Sequence, residues 1–419
     1  MLDIKRIREH LEEVRAALAK KIAPDGFNLE ELVSLDDKRR ALTSELEEMQ
    51  AYRNKLSKTK PTPELIAELR EFGPKIAVKK EELDKVESVL MEKLGALPNT
   101  PADDVVAGGK ENNEVIYTFG QKPEFSFKPK DHVELATSLG LIDYERATKM
   151  SGSGFWCYTG LGALLEWALL SYFIDFHTKN GYRFMIPPFL LAEHSAYISG
   201  HLPKFRDDLF WTQDGSCLNA TSEMMMGNYH SGEILRGEEL PKKYCAYSAC
   251  FRREAGSYRQ EERGMIRGHQ FNKVEMFVFC RPEESWAMFD ELTNNAKKLV
   301  EGLGLHYQLS KLAAEDCSAA MAKTYDAEVW IPSMNIYKEV SSISNALDYQ
   351  ARRGNTRFKD NNSTATEFVH TLNASGLATS RLLPAILEQF QQADGSVIIP
   401  EVLRKYLPFN ESVIKPIEK

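Results

Sequence analysis

The sequence predicts an α+β protein, an antiparallel sheet flanked by helices, preceded by a long antiparallel α-helical coiled-coil arm. Two textures of the 419-residue chain carry that reading. Residues 27–97 are charged and poor in glycine, with apolar side chains recurring every three or four positions. Later residues mix apolar helical stretches with strand-like runs, several of which follow one another with no helix between.

In the arm, Leu32, Leu35, Arg39, Leu42, Leu46, Met49, Arg53 and Leu56 form one seam. The run Lys60-Pro61-Thr62-Pro63 ends it, because proline twice denies a helix its donor. The period resumes at Leu65, Leu69, Phe72, Ile76, Lys79, Leu83, Val86 and Leu90. Two apolar seams joined by one turn must bury each other. Each helix is expected to run about 25–30 residues, roughly 40 Å, with Gly73-Pro74 kinking or fraying the second near its start. Basic residues gather toward the turn: Arg53, Lys55, Lys58, Lys60, Lys75, Lys79 and Lys80. A solvated face is the ordinary meaning of such charge, and phosphate contact the functional alternative.

Residues 97–120, rich in Pro, Gly, Asn and Asp, read as a linker. The expected domains are 1–105 and 106–419. In the second, helices are expected over 163–176, 284–303 and 377–390, and strands over 244–252, 273–280, 327–331 and 337–342.

Composition excludes several classes. The most apolar stretch, 160–176, carries Glu166 and Asp175 and suits a buried helix better than a membrane span. The opening MLDIKRIREH has no signal-peptide core, so a cytoplasmic protein with no membrane association is expected. Cysteines at 157, 217, 245, 250, 280 and 317 form no C-x-x-C pair and read as reduced, buried thiols. The net charge of −8 argues weakly against a nucleic-acid partner, although a local basic strip still attracts phosphate.

Chemistry concentrates in residues 250–277, CFRREAGSYRQEERGMIRGHQFNKVEMF. Strand-like sequence enters, a polar loop turns it, and strand-like sequence returns, with arginines at 252, 253, 259, 263 and 267. Guanidinium forks suit phosphate oxygens. Phe271 offers a flat face for a base and Glu254 an acceptor for an exocyclic amine. Singly, each has an ordinary explanation: a loop arginine, a core Phe, an ion-paired Glu. There is no G-x-x-x-x-G-K-[ST], no complete Rossmann fingerprint and no H-E-x-x-H, so any nucleotide is held without a glycine cradle.

The F-R-x-E strand followed by R-G-x-x-R-x-H-Q-F resembles motif 2 of the class II aminoacyl-tRNA synthetases. Together with MLDIKRIRE, PKDHVELATSLGLIDYERA, LPKFRDDLF, AKTYDAEVWIP, HTLNASGLATSRLLPAILEQFQ and DGSVIIPEVLRKYL, the chain resembles bacterial seryl-tRNA synthetases over nearly its whole length. The resemblance implies the class II catalytic fold. It implies activation of L-serine by ATP to seryl-adenylate, then transfer to the 3′ end of tRNA(Ser), with tRNA(Sec) as a further substrate. The same resemblance assigns catalytic roles to Arg252, Arg381 and Glu339. It places ATP on Arg252, Arg253, Glu254, Arg267, Gly268, Phe271, Glu339, Val340, Ser341, Ser342 and Arg381, with Arg263 another pyrophosphate contact. Mg²⁺ would sit on Glu339 and Ser342. Serine would lie among Thr221, Ser222, Glu223, Arg252, Glu275, Asn373 and Ser375. Arg53, Lys55, Lys58, Lys75 and Lys79 would meet tRNA, and GYRFMIPPFLL, similar to motif 1, implies a homodimer.

Several positions depart from the family pattern. Ala220 replaces a proline ahead of Thr221 and a Met224-Met225-Met226 run follows, so the entering segment is expected to sit differently. Gly268 replaces a larger residue and is expected to leave room near the nucleotide. Gly154 stands for a frequent arginine, and SSISNALDYQARR lacks the usual Cys. Two other readings stay open: a relative loading a carrier protein or metabolite, which would be expected to lack the arm, and a non-catalytic tRNA-binding paralog, which would be expected to lose Arg252, Glu339 or Arg381.

Overall fold

The computed structural model describes residues 1–58, 62–254, 264–409 and 411–417. Lys60 and Pro61 of the expected arm turn, and Gly256, Ser257, Arg259 and Arg263 of the expected motif 2 loop, lie outside them. The chain divides into two compact units, Met1–Thr100 and Pro101–Lys419.

In the first unit, two short helices, α1 (Ile4–Glu9) and α2 (Leu11–Leu18), precede the hairpin of α3 (Leu29–Leu56) and α4 (Pro63–Ala96). Asn28 caps α3 by accepting from Glu31 N, and Thr62 caps α4 by accepting from Leu65 N. Pro63 takes the first turn of α4, where a missing donor costs nothing. Leu42, Leu46, Ile76, Leu83 and Val86 bury one another as the two seams require, with Leu35, Met49 and Phe72 at the margin. At 34 residues α4 is longer than expected and runs unbroken across Pro74. Gly73 and Pro74 both face outward while Phe72 and Ile76 hold the seam, so the proline falls on the solvent side of the helix, where its missing donor does not disturb the packing.

The second unit is built on an eight-stranded sheet: β1 (Glu114–Phe119), β2 (Arg183–Met185), β3 (Lys242–Phe251), β4 (Gln270–Cys280), β5 (Tyr307–Lys311), β6 (Lys323–Ile331), β7 (Ile336–Leu347) and β8 (His370–Ala378). The strand order is β1-β5-β6-β7-β8-β4-β3-β2. Every neighbouring pair is antiparallel except β2–β3, which is parallel. The expected antiparallel sheet is therefore present with one parallel edge. The linker reading is corrected at its end: EVIYTF, rich in β-branched and aromatic residues, forms β1 beside β5. β8 also went unforeseen, because its run HTLNASGLA carries polar residues on one face.

Alternation sorts the sheet's two faces. On β4, Val274, Met276, Val278 and Cys280 enter the main core with Leu372 and Ala374 of β8. Helices α5 (Leu161–Lys179), α6 (Ser285–Gly302) and α7 (Thr379–Gln389) cover that face. Residues 271, 273 and 275 of β4, and 373 and 375 of β8, point the other way. All six cysteines are unpaired, as expected, and five are buried, while Cys157 is only half-buried. Burial pushes the Cys245 and Cys280 thiols up to about 12, which keeps them protonated.

Candidate active site

On the polar face of the sheet, one cleft is lined by Arg252, Glu254, Ile266, Arg267, Gly268, Phe271, Lys273, Glu339, Val340, Ser375 and Arg381. Most residues expected to hold nucleotide thus converge from β3, β4, β7, β8 and α7. Arg252 follows the last residue of β3 and is anchored by two backbone hydrogen bonds. Its N–H donates to His269 O at 2.9 Å, and its carbonyl lies 2.9 Å from His269 Nδ1. Its Nε donates to Ala220 O at 3.3 Å, and its guanidinium stands 5.2 Å over the Phe271 ring. Arg381 opens α7, where its Nη1 donates to Glu339 O at 2.8 Å and approaches the Glu339 carboxylate at 3.5 Å. Arg267 pairs with Glu254, whose φ of 52° is unusual for a residue with a side chain. Arg253 is exposed and donates its N–H to Asp208 O at 2.9 Å.

A β-bulge explains the acid–hydroxyl pair. Ala327 pairs with Ser341 and Glu328 with Glu339, leaving Val340 without a partner. Glu339 and Ser342, three residues apart, therefore share one face of β7. Asp326 pairs with Ser342 in register, and its Oδ1 is buried without a hydrogen bond among the described residues. Burial and the nearby Glu339 carboxylate push the Asp326 carboxyl well above the usual range. Such crowded, under-compensated oxygens suit a hard cation, and the sequence reading missed Asp326. Among the described residues no three His, Cys, Asp or Glu side chains are arranged to hold a metal by themselves. Ser341 faces away from Glu339, its hydroxyl donating to Ser375 O at 2.5 Å.

Beside the cleft lies a buried polar cluster. Lys273 donates to Thr221 Oγ1 at 2.7 Å and pairs with Glu275. Thr221 Oγ1 approaches Glu275 Oε2 at 3.4 Å, and Asn373 Nδ2 donates to Glu275 Oε1 at 3.2 Å. Among the described residues Asn373 Oδ1 has no partner, leaving an acceptor for a ligand. Glu223 accepts from Gln350 Nε2 at 2.7 Å. Burial and the Glu275 carboxylate raise its pKa to about 7, against the pull of Lys273 and Arg252. Ser222 turns inward, sharing a 2.7 Å hydrogen bond with Ser248, so its hydroxyl is not offered to the cleft. The sequence reading named Glu275 but missed Lys273, although the period of two through Phe271, Lys273 and Glu275 marks it.

The departures have physical accounts. Met224, Met225 and Met226 are all buried, and Ala220 gives its carbonyl to Arg252. The expected room at Gly268 is absent: a Cβ there would meet Trp156 Cζ3 at 2.1 Å. Gly154 has φ of +80°, and a Cβ there would meet His269 Cδ2 at 2.6 Å. A hidden carboxyl backs the cleft. Glu166 of α5 accepts from Asn272 at 2.8 Å and from Thr379 at 2.6 Å, and burial raises it to about 7.

In the first unit, Arg53, Lys55 and Lys58 are exposed at the end of α3. Lys79 is instead engaged by Glu45 at 2.9 Å and Glu82 at 3.4 Å. Lys75 lies 3.9 Å from Glu71.

Comparison with known proteins gives a consistent result. A family model described as the tRNA synthetase class II core domain (G, H, P, S and T) matches residues 208–390. Another, the seryl-tRNA synthetase N-terminal domain, matches residues 1–101. The chain is 53% identical to serine–tRNA ligase 2 of Clostridium acetobutylicum, covering 97% of this chain and 99% of that one. It is 44% identical to the serine–tRNA ligase of Geobacter sulfurreducens, covering 97% and 98%. Seryl-tRNA synthetase from Pyrococcus horikoshii complexed with ATP superposes with a TM-score of 0.91 at 34% identity, covering all of both chains. The cytoplasmic serine–tRNA ligase of Naegleria fowleri in complex with AMP gives 0.87 at 30%, covering 100% and 99%.

Proposed function

The chain belongs to the seryl-tRNA synthetase family, and from that premise we propose how its residues carry out the work. It is a serine–tRNA ligase that activates L-serine with ATP and charges tRNA(Ser). The observation that carries the residue assignments is the convergence of Arg252, Arg381 and Glu339 on one cleft, beside the cluster of Thr221, Lys273, Glu275 and Asn373.

In the first step a serine carboxylate oxygen attacks the α-phosphorus and pyrophosphate leaves. Arg252 stabilises the charge that develops on the α-phosphate, and Arg381 faces the polyphosphate from α7. Phe271 stacks on adenine and Glu254 accepts from its amine, once Arg252 and Arg267 turn from these partners to phosphate. Gly268 and Val340 complete the wall, and Ser342 shares the Glu339 face of β7, whereas Ser341 is turned to Ser375 and Arg253 is not in the cleft. Glu339 and Ser342, with Asp326 behind them, would hold Mg²⁺, which would supply positive charge against the phosphates. In the second step a terminal ribose hydroxyl of tRNA attacks the acyl carbon and AMP leaves. Positioning and charge stabilisation suffice, with no side-chain nucleophile.

Serine sits on Thr221, Glu223, Glu275, Asn373 and Ser375, with Ser222 contributing backbone only. Its ammonium adds the positive charge that Glu223, half-protonated near neutrality, lacks. Buried partners for the hydroxyl reject alanine, because they would be left unpaired.

The arm, residues 1–105, binds tRNA through Arg53, Lys55 and Lys58, with Lys75 and Lys79 secondary because acids already hold them. The body, residues 106–419, is the catalytic domain. It forms a homodimer through the segment around α5 and β2, where Trp167 is 56% exposed and Ile186 68%. Charging of tRNA(Sec) follows if the arm reads shape rather than sequence. The six unpaired cysteines fit a cytoplasmic enzyme.

Pyrophosphate exchange measured with serine, threonine, alanine and cysteine tests this reading. Serine is expected to lead by orders of magnitude; threonine exchanging faster than serine would refute the pocket.

A further inference from the structure

Behind the buried polar cluster lies a further layer of hydrogen bonds, centred on Gln350 in the short helix Tyr349–Gly354. The side chain is buried, and its amide is engaged at both ends. Its Oε1 accepts from Thr371 Oγ1 at 2.8 Å, while its Nε2 donates to Ser199 O at 2.9 Å and to Glu223 Oε1 at 2.7 Å. A carbonyl such as Ser199 O only accepts, so the amide nitrogen must face it, and the second amide hydrogen is thereby aimed at Glu223. Thr371, Asn373 and Ser375 alternate along one face of β8, so the strand that presents two pocket residues also braces Gln350.

Glu223 needs such a donor. Burial and the Glu275 carboxylate push it toward its neutral form, while Lys273, the Gln350 hydrogen bond and Arg252 favour the ionised one. The charged groups facing it are thus Glu275 and Lys273 of β4 and Arg252 at the end of β3. Lys273 is committed to Glu275 and Thr221, and Arg252 donates to Ala220 O. Gln350 supplies the direct hydrogen bond. An amide favours a carboxylate without adding a positive charge of its own. That is the chemistry wanted behind an acid whose ligand is itself a cation, because a lysine in the same place would repel the incoming ammonium.

We propose that Gln350 is a positioning residue for the amino-acid substrate, aiming the Glu223 carboxylate at the serine ammonium and favouring its ionised form, with Thr371 and Ser199 fixing the direction of the amide. The inference rests on the serine-pocket reading above. In the empty pocket Glu223 is half-protonated near neutrality, and the arriving ammonium replaces that proton as the positive partner. A hydrogen bond to a carboxylate is stronger than one to a neutral carboxyl, so the amide lowers the cost of the exchange. Gln350 does not line the nucleotide cleft, so its effect falls on the amino acid and not on ATP.

The test is serine-dependent pyrophosphate exchange by the full chain, with the KM for serine and for ATP followed from about pH 6 to about pH 8.5. Gln350→Met, similar in length but without a donor, is expected to raise the KM for serine about tenfold near neutrality, while kcat and the KM for ATP stay within about threefold. Losing the donor favours the protonated carboxyl, so the deficit should shrink as pH rises. In a Glu223→Gln background the same change should add less than about twofold, since no carboxylate is left to hold. Thr371→Val removes one of the two restraints on the amide and should move the KM for serine the same way by about threefold; it serves alone if the methionine variant does not fold. A KM for serine unchanged in these variants, a deficit equal at every pH, an equal rise in the KM for ATP, or effects that simply add to those of Glu223→Gln would overturn the proposal. Glu223→Gln that leaves the KM for serine unchanged overturns the pocket reading itself, whereas a large Glu223→Gln effect beside a silent Gln350→Met overturns this inference alone.

Discussion

Trp156 occupies the space that a side chain at position 268 would fill: a Cβ on Gly268 would lie 2.1 Å from its Cζ3. The glycine in the wall of the nucleotide cleft is thus the counterpart of an indole on a different segment, and the two positions are coupled. The next glycine partner works alike, since Gly154 O accepts from His269 N at 2.9 Å while His269 braces Arg252.

Gly268→Ala alone is expected to destabilise the protein by about 1–3 kcal/mol through overpacking and to raise the KM for ATP. Adding Trp156→Ala should restore part of both, because the indole is the nearest obstacle. The remaining obstacle is the Gly154 carbonyl at 2.8 Å, which is backbone. Urea midpoints and ATP titrations of the single and double variants report the coupling; strictly additive effects would show the two sites independent.

Arg252→Lys is expected to lower kcat for pyrophosphate exchange by about 10²-fold or more, close to Arg252→Ala. An ammonium cannot make two parallel hydrogen bonds or span from Phe271 to the Ala220 carbonyl. Arg381→Ala should cost a comparable amount while also freeing Glu339. Exchange kinetics at saturating serine and ATP decide this, and a lysine variant within threefold of wild type would count against the fork geometry.

Glu223 holds its proton to about pH 7 in the folded protein, against 4.5 for an ordinary glutamate. The native state therefore carries an extra proton between those values. The stability linked to it is complete below about pH 4.5 and falls as pH rises through 7, by about 3 kcal/mol. Glu166, raised to about 7 by burial, adds a second such term. Glu223→Gln and Glu166→Gln should each flatten the urea midpoint against pH. Serine binding should expel the Glu223 proton, seen as proton release by calorimetry in two buffers near pH 6.5. Glu166→Gln should keep that release and Glu223→Gln should lose it.

Replacing Trp167 with Glu is expected to split the proposed dimer, because the indole is more than half exposed on α5 and a carboxylate there cannot be buried against a second copy. Sedimentation velocity at micromolar concentration gives the answer. A wild-type chain that sediments as a monomer would end the dimer proposal outright.

Reversing Arg53, Lys55 and Lys58 to glutamate should raise the KM for tRNA tenfold or more and reduce the salt dependence of binding, with serine-dependent exchange as the control. Reversing Lys79 should do less, since Glu45 and Glu82 already neutralise it.

Much of this protein was legible in the order of its residues. The hairpin was readable because a coiled-coil seam is a local pattern, repeated often enough to outweigh Pro74. The arginines of β3 and α7 and the acid of β7 were readable through the resemblance of short motifs. Other features were not. β1 hid behind a Pro- and Gly-rich approach, and Lys273, Asp326 and Gln350 lie among residues that look ordinary in isolation.

By itself the sequence determined which chemical groups are available and in what order they follow one another along the chain: a charged hairpin, an arginine-rich strand pair, an acid and a final arginine. Only the tertiary structure decided which of them share a cleft. The bulge at Val340 turns Glu339 and Ser342 to one side, Ser222 is drawn inward by Ser248, and Trp156 closes on Gly268. The reason is physical: a strand's two faces exchange with a one-residue slip in register, and that register is set by packing against distant parts of the chain.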